Sequence, residues 1–301
     1  MILLAGTGPE STPRLYCAGA SSPPPLDARR TRVTVRLERP PEHVHVALVT
    51  LDRPEKANSL DPGSLADLAE IWSEIAADDE IRCAVLTGAG HRVFCSGMDM
   101  TTTIPVSQAL ARGERIDERS FQGLRRVQDA LLAGFDLETP LICAINGHAR
   151  AGGFDLMLAS ELRFAVPHAT FALEEVALGL YPTGNATVLL PRQIGWVHAH
   201  ELLLTAQPID AERALAIGLI NQIVAPGDLL STSLAAADTI ASNAPLAVRA
   251  TRAGVRELLP LPLPDAFRRQ EEIGSPLRKT EDAREAQRAF VEKRRPQFQG
   301  R

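Results

Sequence analysis

The stretch Leu141-Ile142-Cys143-Ala144-Ile145, followed by Asn146-Gly147-His148-Ala149-Arg150-Ala151-Gly152-Gly153-Phe154-Asp155-Leu156, decides most of what the chain can be. Five consecutive apolar residues read as a strand covered on both faces, the form strands take in a parallel sheet. Glycines then open a short helix over residues 151–159. Glycine lets a backbone approach a ligand closely, and the first amides of a helix lack intrahelical acceptors and point at negative charge. Asp155 falls in the first turns of that helix, among Phe154, Leu156, Met157 and Leu158. An acid placed there either caps the helix or faces a pocket in apolar surroundings, and the spacing leaves both open.

Working outward, residues 44–51 form a second apolar run, and Asp61-Pro62 supply an N-cap and a first-turn proline. A helix follows, with Leu65, Leu68, Trp72 and Ile75 on one face, and then a strand over 81–87 closed by Gly88 and Gly90. After Val93-Phe94 comes another glycine turn, Cys95-Ser96-Gly97-Met98-Asp99. A helix is expected near 118–134, short strands over 162–166 and 170–173, and mainly helix from about 196, interrupted by the short run 221–224. Glu175 stands in the loop after the 170–173 strand, where a solvated loop acid is the ordinary reading and Glu174 is its neighbour. Strand-helix-strand order repeated along the first part of the chain predicts an α/β layer built from crossovers, with no repeat of fixed period.

Composition narrows the functional classes. The 301 residues are 45% hydrophobic and 23% charged, an ordinary globular balance, and the 4% aromatic content predicts an aliphatic core. A net charge of -5 offers no basic field for a nucleic-acid backbone. Lysine occurs only at Lys56, Lys279 and Lys293, so phosphate recognition would rest on arginine or on backbone amides. Cys17, Cys83, Cys95 and Cys143 are scattered, which argues against a disulfide framework or zinc knuckle and for a reducing, cytoplasmic setting. His43 and His45 read as one face of a strand, and His198 and His200 lie two apart on a helix, a spacing that does not align them; no metal site is expected. No apolar run approaches the roughly 20 residues of a membrane span, so no membrane role is expected. Residues 1–32, rich in Pro, Ser and Arg, are read as an unstructured extension that cannot fill a core.

Phe94-Cys95-Ser96-Gly97-Met98-Asp99-Met100 resembles the F-x-x-G-x-D-hydrophobic turn of the enoyl-CoA hydratase/isomerase (crotonase) family. The stretch from Ile145 to Leu156 is similar to that family's N-G-x-x-x-G-G-G-x-E/D-L segment. Thr170-Phe171-Ala172-Leu173-Glu174-Glu175, with Leu178-Gly179-Leu180-Tyr181-Pro182 beyond it, resembles the segment carrying the family's second glutamate. Arg53-Pro54-Glu55-Lys56-Ala57-Asn58-Ser59-Leu60 resembles the early R-P-x-x-x-N-A-L motif, and Glu281-Asp282-Ala283-Arg284-Glu285 with residues 290–301 the C-terminal helix and tail. Five matches in order span residue 33 to the end.

The resemblance implies an α/β crotonase-like spiral of β-β-α units over 33–225 and a helical C-terminal trimerisation region over 226–301. It implies an acyl-CoA substrate, no cofactor beyond the coenzyme A of the substrate itself, and a homotrimer or homohexamer. Met98 N-H and Gly152 N-H would form an oxyanion hole for the thioester oxygen, and Lys56, Ala57, Ser96, Gly97, Met98, Asp99 and Gly152 would contact the substrate and its coenzyme A. Asp155 would direct water to C3 and Glu175 deliver a proton to C2, hydrating a trans-2-enoyl-CoA. This chain departs from the pattern in having Asp155 where typical hydratases have Glu, Ala151 for the first of three glycines, and Pro182-Thr183-Gly184-Asn185 for P-G-x-G-G. An Asp at the first acid position also resembles dienoyl-CoA isomerases, though Thr183 stands where those carry a further Asp. Double-bond isomerisation, a hydrolase or decarboxylase activity of the same family, and non-catalytic acyl-CoA binding are the alternatives.

Overall fold

The computed structural model describes residues 34–301, and the extension expected over 1–32 lies outside them. The larger of two sheets runs β1-β2-β3-β5-β7-β10, formed by β1 (Val35–Glu38), β2 (Val46–Leu51), β3 (Cys83–Gly88), β5 (Leu141–Ile145), β7 (Leu162–Ala165) and β10 (Gln222–Ile223). All neighbours pair in parallel except β1 with β2. The smaller sheet runs β4-β6-β8-β9, from β4 (Val93–Cys95), β6 (His148–Arg150), β8 (Thr170–Ala172) and an antiparallel β9 (Ile209–Asp210).

The sequence order explains the two layers. Each of β3, β5 and β7 is followed by a bend and then by β4, β6 or β8 in the other sheet, after which helices lead back. Three turns of a β-β-α spiral result. The bend after β5 needs Gly147, where a Cβ would fall 2.1 Å from the carbonyl oxygen of Arg92. All five residues of β5 are buried, as its unbroken apolar run requires.

Helix α1 (Pro62–Ala77) begins where Asp61 accepts the Ser64 N-H at 2.6 Å, and it buries Leu65, Leu68, Trp72 and Ile75. The Trp72 indole N-H is satisfied by the Ala130 carbonyl at 3.0 Å. Beyond α2 (Thr103–Ala111), the single helix expected near 118–134 is two, α3 (Glu118–Arg125) and α4 (Val127–Ala130), separated at Arg126. Helix α5 (Gly152–Leu158) is wholly buried. Next come α6 (Ala186–Gln193), α7 (Trp196–Thr205), α8 (Ala211–Ala216), α9 (Leu229–Ala241), α10 (Pro245–Leu258), α11 (Leu263–Leu277) and α12 (Glu281–Glu292).

The expectation for the two early histidines changes. His43 and His45 lie in the turn before β2 rather than on a strand: His43 Nδ1 sits 2.6 Å from an Asp238 carboxylate oxygen on α9, and His45 Nδ1 meets the Glu80 carbonyl oxygen at 2.9 Å. Val35 is buried and β1 pairs along β2, so the core begins within a few residues of the start of the described chain. Helix α9 packs on β2, β3, β5 and β7 through Leu229, Leu234, Ala237 and Ala241, so the helical C-terminal region begins inside the core. Its far end is clasped by α12, where buried Asp282 accepts the N-H groups of Gln299 at 2.7 Å and Gly300 at 2.9 Å. Cys83, Cys95 and Cys143 are buried free thiols pushed up by burial to about 12, which makes them inert core residues. Among the described residues no helix is long and apolar enough to cross a membrane.

Candidate active site

Two glycine turns dock face to face at the ends of β4 and β6. A Cβ on Gly97 would stand 2.9 Å from the Ala151 Cβ and 3.0 Å from the Gly152 nitrogen, and one on Gly153 would fall 2.3 Å from the Cys95 carbonyl oxygen. Only glycine permits this approach. The Met98 nitrogen lies beside the second turn, 3.7 Å from where a Gly152 Cβ would be.

Each turn leaves one amide to spare. Leu60 bridges to Met98 in parallel fashion, donating to Gly97 O at 2.8 Å and accepting from Asp99 N at 3.0 Å. That pattern uses the groups flanking Met98, so its own N-H points to the other side. Gly152 is the first residue of α5, and its N-H has no intrahelical partner. The peptide before it is turned by Ala151 at φ 44°, ψ -119°, a conformation that costs an L residue on the order of 1–3 kcal/mol.

Asp99 holds the first turn in place. Burial pushes its carboxyl up, but hydrogen bonds from Thr101 and Arg53 outweigh burial and hold it down to about 2. Its oxygens take the Thr101 hydroxyl at 2.6 Å, the Arg53 guanidinium at 3.1 Å and the Ser59 hydroxyl at 3.3 Å. The Asp99 side chain is thus committed inside the protein rather than presented to a ligand. Lys56 is exposed at the end of a 3-10 turn, Pro54–Lys56, and left-handed Ala57 accepts the Ser96 N-H at 3.1 Å, which brings the early motif against the same turn.

Asp155 is 3% exposed. Burial, then the charge of Glu175, push its carboxyl up, against a hydrogen bond from Ala186 N, to about 7. That bond, 2.8 Å to Oδ1, comes from the first residue of α6. Glu175 lies not in an open loop but at the start of a 3-10 turn, Glu175–Leu178. Its Oε2 is buried without a hydrogen-bond partner, and burial pushes its carboxyl above the usual range. The neighbouring Glu174 turns the other way and pairs with Arg150 at 3.1 Å, tying the acid segment to the strand that leads to Gly152. Adjacent acids that look alike in sequence are therefore divided between a surface ion pair and the interior.

The raised Asp155 value has a consequence for stability. Its folded value near 7 lies above the ordinary 3.8, so between them the folded chain holds a proton that the unfolded chain releases. Stability contributed by this group is present at low pH and lost as pH rises through about 7. Asp155→Asn is expected to raise stability at pH 8 by on the order of 2 kcal/mol and to lose that advantage near pH 4. Thermal melts at the two pH values check this, and a variant less stable than wild type at pH 8 would refute it.

The fold and site together define a class: a β-β-α spiral in which two glycine turns dock on each other and two acids, Asp155 and Glu175, are pushed up by burial. The family model for enoyl-CoA hydratase/isomerase matches residues 42–301, and the chain belongs to that family. It is 41% identical over 256 residues to (E)-benzylidenesuccinyl-CoA hydratase of Thauera aromatica, covering 85% of this chain and 96% of that protein. It is 38% identical over 257 residues to enoyl-CoA hydratase EchA19 of Mycobacterium tuberculosis, covering 85% and 94%. The crystal structure of an enoyl-CoA hydratase from Bacillus anthracis superposes with a TM-score of 0.80 at 30% identity, over 89% of this chain and all of that one.

Three features of the site went unread in the sequence. Arg163 fastens the far end of α5, Arg150 reaches Glu174, and Gly184-Asn185-Ala186 surround Asp155. For the last, the only available signal was the departure from P-G-x-G-G.

Proposed function

We propose that the protein is an enoyl-CoA hydratase, adding water across C2=C3 of a trans-2-enoyl-CoA. The observation that carries the reading is the buried, unpartnered Glu175 oxygen at the end of β8, one strand away from the end of β6 that delivers the Gly152 amide. The Met98 and Gly152 amides accept the thioester oxygen as it gains negative charge, each contributing on the order of 3 kcal/mol. The two acids share one proton, and the form that reacts carries it on Glu175: Asp155 takes a proton from water as the water oxygen bonds to C3, and Glu175 gives its proton to C2. The pair ends with the same number of protons as it began.

Lys56, Ala57, Ser96 and Gly97 line the approach for coenzyme A, and Asp99, its side chain held inside by Arg53, Ser59 and Thr101, acts through the turn it braces. The substrate supplies the only coenzyme, and a cytoplasmic setting suits the buried free thiols. Exposed Leu259, Leu263, Phe267, Phe290 and Val291 on and around α10–α12 suit burial between subunits of a homotrimer or homohexamer. A second reading, double-bond isomerisation by Glu175 alone, is favoured by the anchoring of Asp155 on Ala186.

Incubation with crotonyl-CoA is expected to bleach the conjugated enoyl absorbance, and Asp155→Asn to slow this more than it slows conversion of a 3-enoyl-CoA. A protein that leaves crotonyl-CoA intact but conjugates the 3-enoyl thioester is an isomerase. One that does neither is a binder.

A further inference from the structure

We infer that Gly184 is a positioning residue: its missing side chain is the space the Asp155 carboxylate occupies, and this sets how strongly the site favours water addition over double-bond migration. The inference rests on the reading of Asp155 as the acid that directs water.

A Cβ on Gly184 would stand 2.3 Å from Asp155 Oδ2, 2.4 Å from Cγ and 2.7 Å from Oδ1. Gly184 is not among the residues with left-handed φ, so nothing in its backbone calls for glycine. The requirement is steric, and its object is the carboxylate. The two residues that follow grip Asp155 from the same side. Ala186 N donates to Oδ1 at 2.8 Å, and Asn185 Nδ2 donates at 3.0 Å to the Asp155 carbonyl and at 2.8 Å to that of Leu131. Asp155 and Asn185 are both buried, so moving either disturbs close packing.

Aspartate is one methylene shorter than glutamate. Its carboxylate therefore lies closer to α5, and the chain at 184–186 comes in against it, with a residue at 184 that has no atom in the way. A methyl group at 184 would turn the carboxylate away and break its bond to Ala186. Glu175, held by a different segment, would be left where it is. Hydration, which needs both acids, would suffer more than isomerisation, which needs Glu175.

The test is a double-mutant cycle of Gly184→Ala with Asp155→Ala, read with crotonyl-CoA for hydration and a 3-enoyl-CoA for isomerisation. Gly184→Ala alone is expected to lower the kcat for hydration by about tenfold or more, with KM little changed and isomerisation less affected. In the Asp155→Ala background the same substitution is expected to cost less than about twofold, because the group it displaces is gone. Equal losses in both backgrounds, or full hydration by Gly184→Ala, would overturn the inference. If Gly184→Ala fails to fold, Asp155→Ala added to it should restore folding, and failure to do so overturns it equally. Hydration at the wild-type rate by Asp155→Ala alone overturns the underlying reading of Asp155, and is told apart because Gly184 plays no part in that result.

Discussion

Glu175→Gln is expected to lower turnover of crotonyl-CoA by roughly 10²- to 10⁴-fold, the range for loss of a positioned general acid or base. The side chains have nearly the same shape, so packing is preserved while proton transfer is lost. Oε2 has no hydrogen-bond partner to lose, and burial already disfavours the charge, so the variant should fold at least as well as the wild type. Initial rates together with a thermal melt check both halves. A properly folded variant retaining more than about a tenth of wild-type rate would remove Glu175 from proton transfer.

Arg163→Met is expected to be the most destabilising of the substitutions considered, by about 2–4 kcal/mol. This arginine is 6% exposed, and burial pushes its guanidinium down to about 10. It donates to the carbonyls of Met157, Leu158 and Ser160, to Leu219 O and to the Gln193 side chain, at 2.7–3.1 Å. The first three are carbonyls at and just beyond the end of α5, which a short buried helix has no water to satisfy. One side chain thus caps the far end of the helix whose near end offers Gly152 and carries Asp155, and joins it to the α8–β10 segment. Removing it strips a donor from each of these carbonyls, with Met157 O keeping Ser160 and Leu158 O keeping the Gln193 amide while Ser160 O and Leu219 O lose the guanidinium. Urea denaturation should show a lowered midpoint with unchanged slope. A loss below about 1 kcal/mol would mean that water satisfies the freed carbonyls instead.

The parts of the fold that local rules govern were legible. The unbroken apolar run at β5, the largely apolar runs at β2 and β3, the Asp61-Pro62 start of α1 and the glycine-opened α5 follow from patterning and capping, and the structure has them within a few residues. Strands of three residues such as β6 carry too little periodicity to be separated from a glycine turn. His43 was misplaced because its partner, Asp238, is brought to it only by the packing of α9.

The candidate site divides along the same line. The two glycine turns could be read as places with spare amides, but singling out Met98 and Gly152 within them rests on the family resemblance. That the two turns meet was not visible, since Gly97 approaches Ala151 only when β4 pairs with β6. The difference between Glu174 and Glu175 is likewise a matter of which way the 3-10 turn faces, and the identity of the group that holds Asp155 depends on α6, some thirty residues further along.

The claim on which everything else depends is that two main-chain amides polarise a thioester carbonyl. It is tested most directly by the infrared carbonyl stretch of an enoyl-CoA bound to the Glu175→Gln variant, which should hold its substrate without consuming it. A band shifted to lower frequency than that of the free thioester in water is the expected result, because two preorganised donors in a dry site weaken the C=O bond more than water does. A band at the solution frequency, with the substrate shown to be bound, would contradict the account.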